Sequence, residues 1–278
     1  MKIWLEIFKR RVSSRWRLNQ ISLFFTDDRK LTNLSELKWL ARRHSAITLH
    51  SDFFYKSEKR LSELLQSLWR PKDDYGSWRG CLGEAINALW MSQHSVQVHQ
   101  LHSIHFSWRR DWMIFQYHSL LPMTTLEEKL LGGADVDAVL DCMGQAIINC
   151  LRRGICYPDA NITNIFAGDD LSSPCLIDTE YAFPLKGDLA ESMTLIMAFR
   201  YSPHLREKAS PERMLAALKA ILTREQALGT WERLSPIAEH SFRILAYPWP
   251  GELRRMTYRY LSTGIGWNEL ESALQLQQ

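Results

Sequence analysis

The segment 154–183 places the strongest constraint on what this chain can fold into and do. It holds Asp159 and Asn164 five positions apart, and Asp178 follows fourteen positions after Asn164. A short apolar run at 175–177 leads directly into Asp178, and a Gly-containing turn separates that run from Asn164. The pattern predicts a loop, a short strand, a turn and a second short strand that ends at an acid.

The residue types in this segment suit phosphoryl transfer. That reaction needs a carboxylate that positions the acceptor hydroxyl, and Mg²⁺ ions that are held against the phosphates. Mg²⁺ prefers oxygen ligands and takes one or two from carboxylates, while phosphates and water complete its shell. We predict that Asp159 orients or deprotonates the hydroxyl and that Asn164 and Asp178 hold Mg²⁺. The alternative is a loop of turn-forming residues that bond their own backbone.

The same segment resembles the catalytic and metal-binding loops of the protein-kinase-like superfamily. The resemblance rests on the Asp-x-x-x-x-Asn spacing of 159–164 and on the helix end Arg-Arg-Gly-Ile at 152–155. It also rests on Ile-Asp-Thr-Glu at 177–180, which is similar to the Asp-x-Glu variant of aminoglycoside and choline kinases. This resemblance implies ATP and Mg²⁺ as cofactors. It also implies that Glu180 is either a further metal ligand or a residue that supports the metal ligands.

A kinase-like chain also needs a lysine on a strand, an acid on the next long helix and a strand that enters a hinge. Lys56 ends a short aromatic strand, Glu84 lies on a predicted amphipathic helix, and 112–117 fits the hinge strand. The resemblance implies that Lys56 contacts the α- and β-phosphates of ATP and is held by Glu84. Glu58 and Glu63 are competing partners, and a solvated surface side chain is the alternative for both Lys56 and Glu84.

These elements predict an α+β chain with the two-lobed protein-kinase-like fold, in which a small β-rich N-lobe precedes a larger helical C-lobe. We assign 1–34 to a basic amphipathic extension, 35–121 to the N-lobe and 122–278 to the C-lobe with the catalytic loop. Within the C-lobe, a Thr-x-x-Glu pattern at 124–127 predicts a helix start. An amphipathic helix is predicted for 135–153.

Two features depart from the superfamily pattern. Tyr157-Pro158-Asp159 stands where its members have His-Arg-Asp or His-Gly-Asp, and no Gly-rich loop is present. The turn at 43–46 is the candidate for the phosphate side, where backbone N–H groups could still meet phosphates. A non-catalytic pseudokinase on the same fold is therefore a second class of function. Retention of the two aspartates and Asn164 favours the enzyme, because a scaffold has no physical need for all three.

Charge and cysteine content exclude several classes of protein. The 34 Lys and Arg against 31 Asp and Glu leave a net charge of +3, too balanced for a histone-like binder, so we predict no nucleic-acid partner. No uninterrupted apolar run reaches the roughly 18 residues that would cross a bilayer. The five cysteines are odd in number and show no CxxC spacing, which predicts a reducing cytoplasm and neither a disulfide scaffold nor a zinc ribbon.

Residues 2–17 carry six Lys and Arg against one acid, interleaved with Ile, Trp and Phe at helical spacing. A basic amphipathic helix of this kind can bind an anionic membrane surface, which predicts a cytoplasmic protein held peripherally on the inner face of the cytoplasmic membrane. A terminal helix packed on its own domain is the alternative. A membrane adaptor that acts through this helix is a third functional class.

The acceptor follows only from the resemblance. Among kinase-like families, the chain is most similar to the bacterial lipopolysaccharide core sugar kinases, which implies a sugar or lipid-linked sugar acceptor. A small-molecule kinase of the aminoglycoside or choline type is the next reading, and a protein substrate is the third. Fold alone does not fix a substrate, so these remain expectations.

Overall fold

The computed structural model describes residues 22–24, 48–49, 53–59, 80–107, 112–244 and 251–275. The strands are β1 (Ser22–Phe24), β2 (Thr48–Leu49), β3 (Phe53–Lys59), β4 (Leu101–Ser107), β5 (Trp112–His118), β6 (Thr124–Thr125), β7 (Ile155–Cys156), β8 (Ile165–Ala167), β9 (Cys175–Leu176) and β10 (Phe183–Pro184). The helices are α1 (Gly80–Gln93), α2 (Leu126–Leu131), α3 (Val136–Arg152), α4 (Leu189–Phe199), α5 (Pro203–Lys208), α6 (Pro211–Arg224), α7 (Trp231–Ile244), α8 (Gly251–Thr263) and α9 (Trp267–Gln275).

A five-stranded sheet of order β1-β4-β5-β3-β2 is formed by strands that lie between residues 22 and 118. Its strand pairs are antiparallel except for β1, which runs parallel to β4. Helix α1 packs against β3 and β4. Opposite residues of antiparallel strands lie on one face, and the register sets Lys56 of β3 opposite the fully buried Phe115 of β5. The sheet therefore fixes the depth at which Lys56 lies.

The helical half is built around α3, which contacts α4 and α6. Asp135 caps α3, since its side chain accepts a hydrogen bond from the Ala138 N–H. The buried residues of α3 belong to the hydrophobic core of the part of the chain that the structure describes. Gly144 lies at the contact with α6, where an added Cβ would overlap the Cδ1 atom of Ile221. The two helices therefore approach each other closely at this point.

The architecture agrees with the prediction of an α+β chain, with a small β-rich first part and a larger helical second part. The helix predicted for 135–153 is also confirmed, as α3. The predicted helix start at Thr124 was wrong by one residue. The capping box joins Thr125 and Glu128, with the Glu128 N–H donating to Thr125 Oγ1 at 3.0 Å. Thr124 and Thr125 both pair with β8, so helical backbone begins only at Leu126.

Several predictions fall on other parts of the chain. The basic segment 2–17, the phosphate-side turn 43–46 and Glu63 lie outside the described residues, as does the side chain of Glu58. Within the described ranges, none of the helices combines the length and the apolar character that crossing a bilayer requires.

Candidate active site

A lysine–carboxylate cluster joins the sheet, helix α1 and the end of β9. Lys56 Nζ donates to Glu84 Oε2 at 2.6 Å and to Asp178 Oδ1 at 3.3 Å. The side chain of Glu84 is buried and that of Lys56 is 13% exposed, whereas that of Asp178 is 44% exposed. Burial opposes the charge on Lys56, but Glu84 and Asp178 outweigh it and raise the pKa of the ammonium group. A fixed cation thus lies beside a carboxylate that solvent and ligands can reach.

Helix α1 is tied to the 3₁₀ turn that follows Asp178. Asn87 Nδ2 donates to the carbonyls of Thr179 and Glu180 at 2.8 and 2.9 Å. In return, Thr179 Oγ1 donates to the Glu84 carbonyl at 2.9 Å, and the Gly80 N–H donates to Glu180 Oε2 at 2.8 Å. The last contact sets a carboxylate at the helix N-terminus, where the helix dipole favours negative charge. These four bonds fix Glu84 relative to Asp178.

The backbone around Asp178 is also held from the loop 157–164. Asp178 adopts the left-handed conformation, with φ 55° and ψ 48°, which aspartate tolerates better than most residues. Tyr157 Oη donates to the Ile177 carbonyl at 2.6 Å and reaches the Asp178 carbonyl at 3.3 Å. The Ile177 N–H donates to the Asn164 carbonyl at 3.0 Å. The hydrogen bonds from Tyr157 and to Asn164 therefore hold the backbone that carries the Asp178 carboxylate.

Asp159 lies at the centre of a second cluster. Asn164 Nδ2 donates to the Asp159 carbonyl at 3.0 Å and to its Oδ2 at 3.2 Å, and Arg200 forms an ion pair with Oδ1. Burial raises the pKa of Asp159 to about 6, with Asp178 and Glu180 adding to the rise and Arg200 opposing it. The carboxylate is therefore mostly ionised at neutral pH and able to accept a proton or a hydrogen bond.

Arg200 and Tyr258 were not found by sequence reasoning. Arg200 follows the last residue of α4, its Nε donates to the Pro158 carbonyl at 2.8 Å, and its Nη2 donates to Tyr258 Oη of α8. No motif surrounds either residue. The available signal was an arginine at the end of a helix whose other residues are nearly all apolar or small, a position where a buried charge requires a partner.

The side-chain oxygen atoms of Asp178 and Asn164 suit a magnesium ion that is also bound by nucleotide phosphates. Among the described residues, no three His, Cys, Asp or Glu side chains form a metal-binding group of their own. A shared ion needs only one or two protein carboxylates, since phosphates and water supply the remaining ligands. Asn164 uses Nδ2 to bond Asp159, which leaves Oδ1 as its donor atom for a cation. Asp178 adds a half-exposed carboxylate. It directly follows Ile177, whose N–H donates to the Asn164 carbonyl.

The structure brings all five predicted residues together. Lys56, Glu84 and Asp178 form one cluster, Asp159 and Asn164 form the other, and the hydrogen bonds around Ile177 join the two. The structure thus places a strand lysine against a helix glutamate, and an Asp–Asn loop beside an aspartate that follows a short strand.

Comparison with known proteins gives the following. No protein-family model matches the chain, and no curated protein sequence matches it. Among solved structures, one described as WaaP in complex with acyl carrier protein has a TM-score of 0.39 and 13% sequence identity, covering 77% of this chain and 96% of that one. Another, titin kinase and its flanking domains, has a TM-score of 0.33 and 10% identity, covering 80% of this chain and 43% of that one.

Proposed function

We propose that this protein is an ATP-dependent kinase that transfers the γ-phosphoryl group to an alcohol hydroxyl. The observation that carries the proposal is the contact of Lys56 Nζ with both Glu84 and Asp178, at 2.6 and 3.3 Å. Phosphoryl transfer depends almost entirely on positioning and on electrostatic stabilisation of the phosphates, and such a contact supplies both. A merely structural ion pair would not need a third, half-exposed carboxylate beside it.

The chain's own residues divide the work between the phosphates and the acceptor. Lys56 would contact the α- and β-phosphates, with Glu84 holding its ammonium group in place. Asp178 and Asn164 would hold Mg²⁺, which when bound neutralises phosphate charge and fixes the phosphate geometry. Asp159 would accept a hydrogen bond from the acceptor hydroxyl and take its proton, because carboxylate oxygens that already bond Arg200 and Asn164 keep further lone pairs.

For the acceptor, we propose a sugar hydroxyl of a lipopolysaccharide core. The support is the sequence resemblance to the core sugar kinases and the basic segment 2–17, which suits an acceptor presented at an anionic membrane. A small-molecule kinase remains the second candidate, because Asp159, Asn164 and the Asp-x-Glu of 178–180 match that group equally well.

Nucleotide binding is tested by thermal unfolding with and without ATP and Mg²⁺. A ligand at about 100 times its Kd adds roughly 2.7 kcal/mol of stability, which is a clear rise in Tm. We expect this rise for the unmodified chain, its loss in Asp178→Ala, and its retention in Asp169→Ala, which removes an exposed carboxylate of the β8–β9 turn. If millimolar nucleotide does not change the Tm of the unmodified chain, the assignment changes to a pseudokinase or a membrane adaptor.

Cys81 offers a second, independent measure of nucleotide binding. It is the partly exposed cysteine of the five, while the other four are buried. It lies on the first turn of α1, three residues before Glu84. Iodoacetamide should therefore modify the folded chain at Cys81 alone, and ATP with Mg²⁺ should slow that reaction. Equal labelling rates with and without nucleotide would show that nucleotide binds away from Cys81 or does not bind at all.

Phosphoryl transfer itself is tested with γ-labelled ATP and three acceptors: a deacylated lipopolysaccharide core oligosaccharide, kanamycin and choline. We expect label on the core oligosaccharide, and a rate of labelling that is about 100- to 10,000-fold lower but still measurable when Asp159 is replaced by Asn. Label on kanamycin or choline instead would move the assignment to the small-molecule kinases. Nucleotide binding without label on any acceptor would contradict the core sugar proposal and favour the pseudokinase.

A further inference from the structure

Asp159 receives little support from the residues just before it. Pro158 has no backbone N–H and no polar side-chain atom. The Tyr157 hydroxyl bonds the carbonyls of Ile177 and Asp178 and so supports the metal side of the site. Within its own loop, the carboxylate of Asp159 is bonded by Asn164 at 3.2 Å, which is long for a hydrogen bond to a charged acceptor. The stronger contact comes from outside the loop.

That contact is the guanidinium of Arg200, at the end of α4. Its Nε donates to the Pro158 carbonyl at 2.8 Å, and its Nη2 pairs with Asp159 Oδ1. One planar group therefore holds the loop backbone and the carboxylate at the same time. The rigid fork of donors in arginine makes this possible, whereas the single ammonium of lysine cannot reproduce its geometry.

The guanidinium is fixed in turn by aromatic residues. Its Nη2 donates to Tyr258 Oη, and its Cζ lies 4.6 Å from the centre of the Phe199 ring and 5.9 Å from that of Tyr258. The Arg200 side chain is only 7% exposed. A cation this deeply buried needs its anionic partner, so the ion pair is not the weak kind found at protein surfaces. These two aromatic residues therefore hold the guanidinium in its observed orientation.

We propose that Arg200 is the positioning residue for Asp159, and that Tyr258 holds Arg200 in place. The C-terminal end of α4 and the middle of α8 would then set the angle at which Asp159 meets the acceptor hydroxyl. This inference rests on the proposed kinase activity. It assigns to the C-terminal helices a task that the loop 157–159 cannot perform with its own side chains.

The test compares kcat and KM of Arg200→Met, Arg200→Lys and Tyr258→Phe with those of the unmodified chain, using ATP and the acceptor found above. We expect Arg200→Met to lower kcat about 100-fold, the loss typical of a displaced catalytic group, with KM for ATP unchanged. Arg200→Lys should recover part of that loss, and Tyr258→Phe should lower kcat by a smaller factor. An Arg200→Met variant that keeps more than a third of kcat would overturn the inference.

Arg233 provides the matched control. It pairs with the buried Glu191 at 2.6 Å, and its Cζ lies 4.8 Å from the centre of the Trp267 ring. It is thus another arginine that pairs with a buried carboxylate and lies over an aromatic ring, but its side chain is 47% exposed and bonds Glu191 rather than Asp159. Arg233→Met should lower the Tm but leave kcat within a factor of about two. A large fall in kcat for Arg233→Met would show that helix packing, not positioning, explains the Arg200 effect.

A double-mutant cycle separates positioning from general damage. In an Asp159→Asn background, Arg200→Met should cost almost nothing further, because the group that it positions has already lost its charge. The inference would be overturned if the loss of kcat in the double variant equalled the product of the two single-variant losses. If Arg200→Met does not fold, Tyr258→Phe takes its place in the same cycle. An unmodified chain that transfers no phosphate would refute the proposed function as well, whereas an active chain insensitive to Arg200 would refute this inference alone.

Discussion

Lys56 keeps its charge in a buried position because two carboxylates bond it. Removing such a cation leaves Glu84 buried, with its Oε1 already lacking a partner among the described residues. Breaking a buried pair from one side commonly costs about 3–5 kcal/mol, whereas replacing both partners by neutral groups costs much less. The pair therefore serves function more than stability.

We predict that Lys56→Met lowers the free energy of unfolding and that the double variant Lys56→Met with Glu84→Gln regains part of the loss. The physical reason is that the second change removes the unpaired buried carboxylate. Urea unfolding of the two variants checks the order of stability. Both should lack phosphoryl transfer. A double variant less stable than Lys56→Met would show that Glu84 is adequately solvated without its lysine.

His99 is another buried titratable residue, and the proposed mechanism gives it no role. Its Nε2 bonds the His118 carbonyl at 2.7 Å, its ring stacks on Tyr117 at 4.6 Å, and its Nδ1 has no partner among the described residues. A carbonyl can only accept, so Nε2 carries the proton of the neutral ring. Burial, with Lys56 and His118 nearby, lowers the pKa of His99 from 6.5 to about 4.

The lowered pKa of His99 predicts a pH dependence of stability. The stabilising contribution of the neutral ring is complete above pH 6.5 and is lost as the pH falls from there towards 4, by up to about 3 kcal/mol. The free energy of unfolding should thus fall more steeply over this range in the unmodified chain than in His99→Phe. His102→Gln, at an exposed position of β4, should keep the original slope. Parallel slopes for all three proteins would contradict the prediction.

At the scale of elements, α3 shows how closely the helices of the second half approach. An Ala at position 144 would put its Cβ against Ile221 Cδ1 and near Met193 Cε. Ile221 and Met193 are buried, so neither side chain has free space into which to move. The absence of a side chain at Gly144 is therefore a condition for the contact between α3 and α6.

We predict that Gly144→Ala destabilises the protein by about 1–3 kcal/mol, the usual cost of overfilling a packed core. Ile221→Val removes the obstructing Cδ1 atom, so the double variant should be more stable than Gly144→Ala alone. Gly229→Ala is the control, because nothing lies within 4 Å of a Cβ added there. Thermal unfolding of the four proteins measures the effect, and equal Tm values for the Gly144 and Gly229 variants would disprove the close contact.

Local signals were enough to predict α3 and the strand–turn–strand unit that ends at Asp178. Both combine regular spacing of apolar residues with capping or turn residues, which are properties of contiguous sequence. The start of α2 was misplaced because strand pairing with β8 extends the backbone through Thr125, and pairing with a distant strand leaves no local trace. The order of elements was therefore predictable, and single boundaries were not.

At the scale of the whole molecule, the site combines segments that are far apart in sequence. Asp159, Asn164 and Asp178 were predicted from the residue types that phosphoryl transfer needs, and Lys56 and Glu84 from the resemblance to the kinase-like superfamily. Arg200 supports the site from a helix end without a motif, and only tertiary contact reveals such a role. Chemistry can thus be predicted from sequence more completely than the supporting contacts that position it.

The basic segment 2–17 gives the last prediction, which rests on sequence alone. Deleting it should abolish sedimentation with vesicles of anionic phospholipid while leaving phosphoryl transfer to a deacylated core oligosaccharide intact. The reason is that polybasic segments bind anionic surfaces electrostatically, at about 1 kcal/mol per charge. Neutral phosphatidylcholine vesicles serve as the control. Unchanged sedimentation of the shortened chain would place any membrane contact elsewhere, and lost transfer would assign the segment to the fold.

The bond between Tyr258 and Arg200 has a consequence for the protein during its synthesis. Ribosomes deliver chains from the N-terminus, so Asp159 and the sheet leave the exit tunnel well before α8 does. Until Tyr258 arrives, the guanidinium that holds Asp159 lacks one of its own supports. On the proposed mechanism, a nascent chain can contain every reacting group before Asp159 is fully positioned. Its rate of transfer would then reach the final value only once α8 has docked.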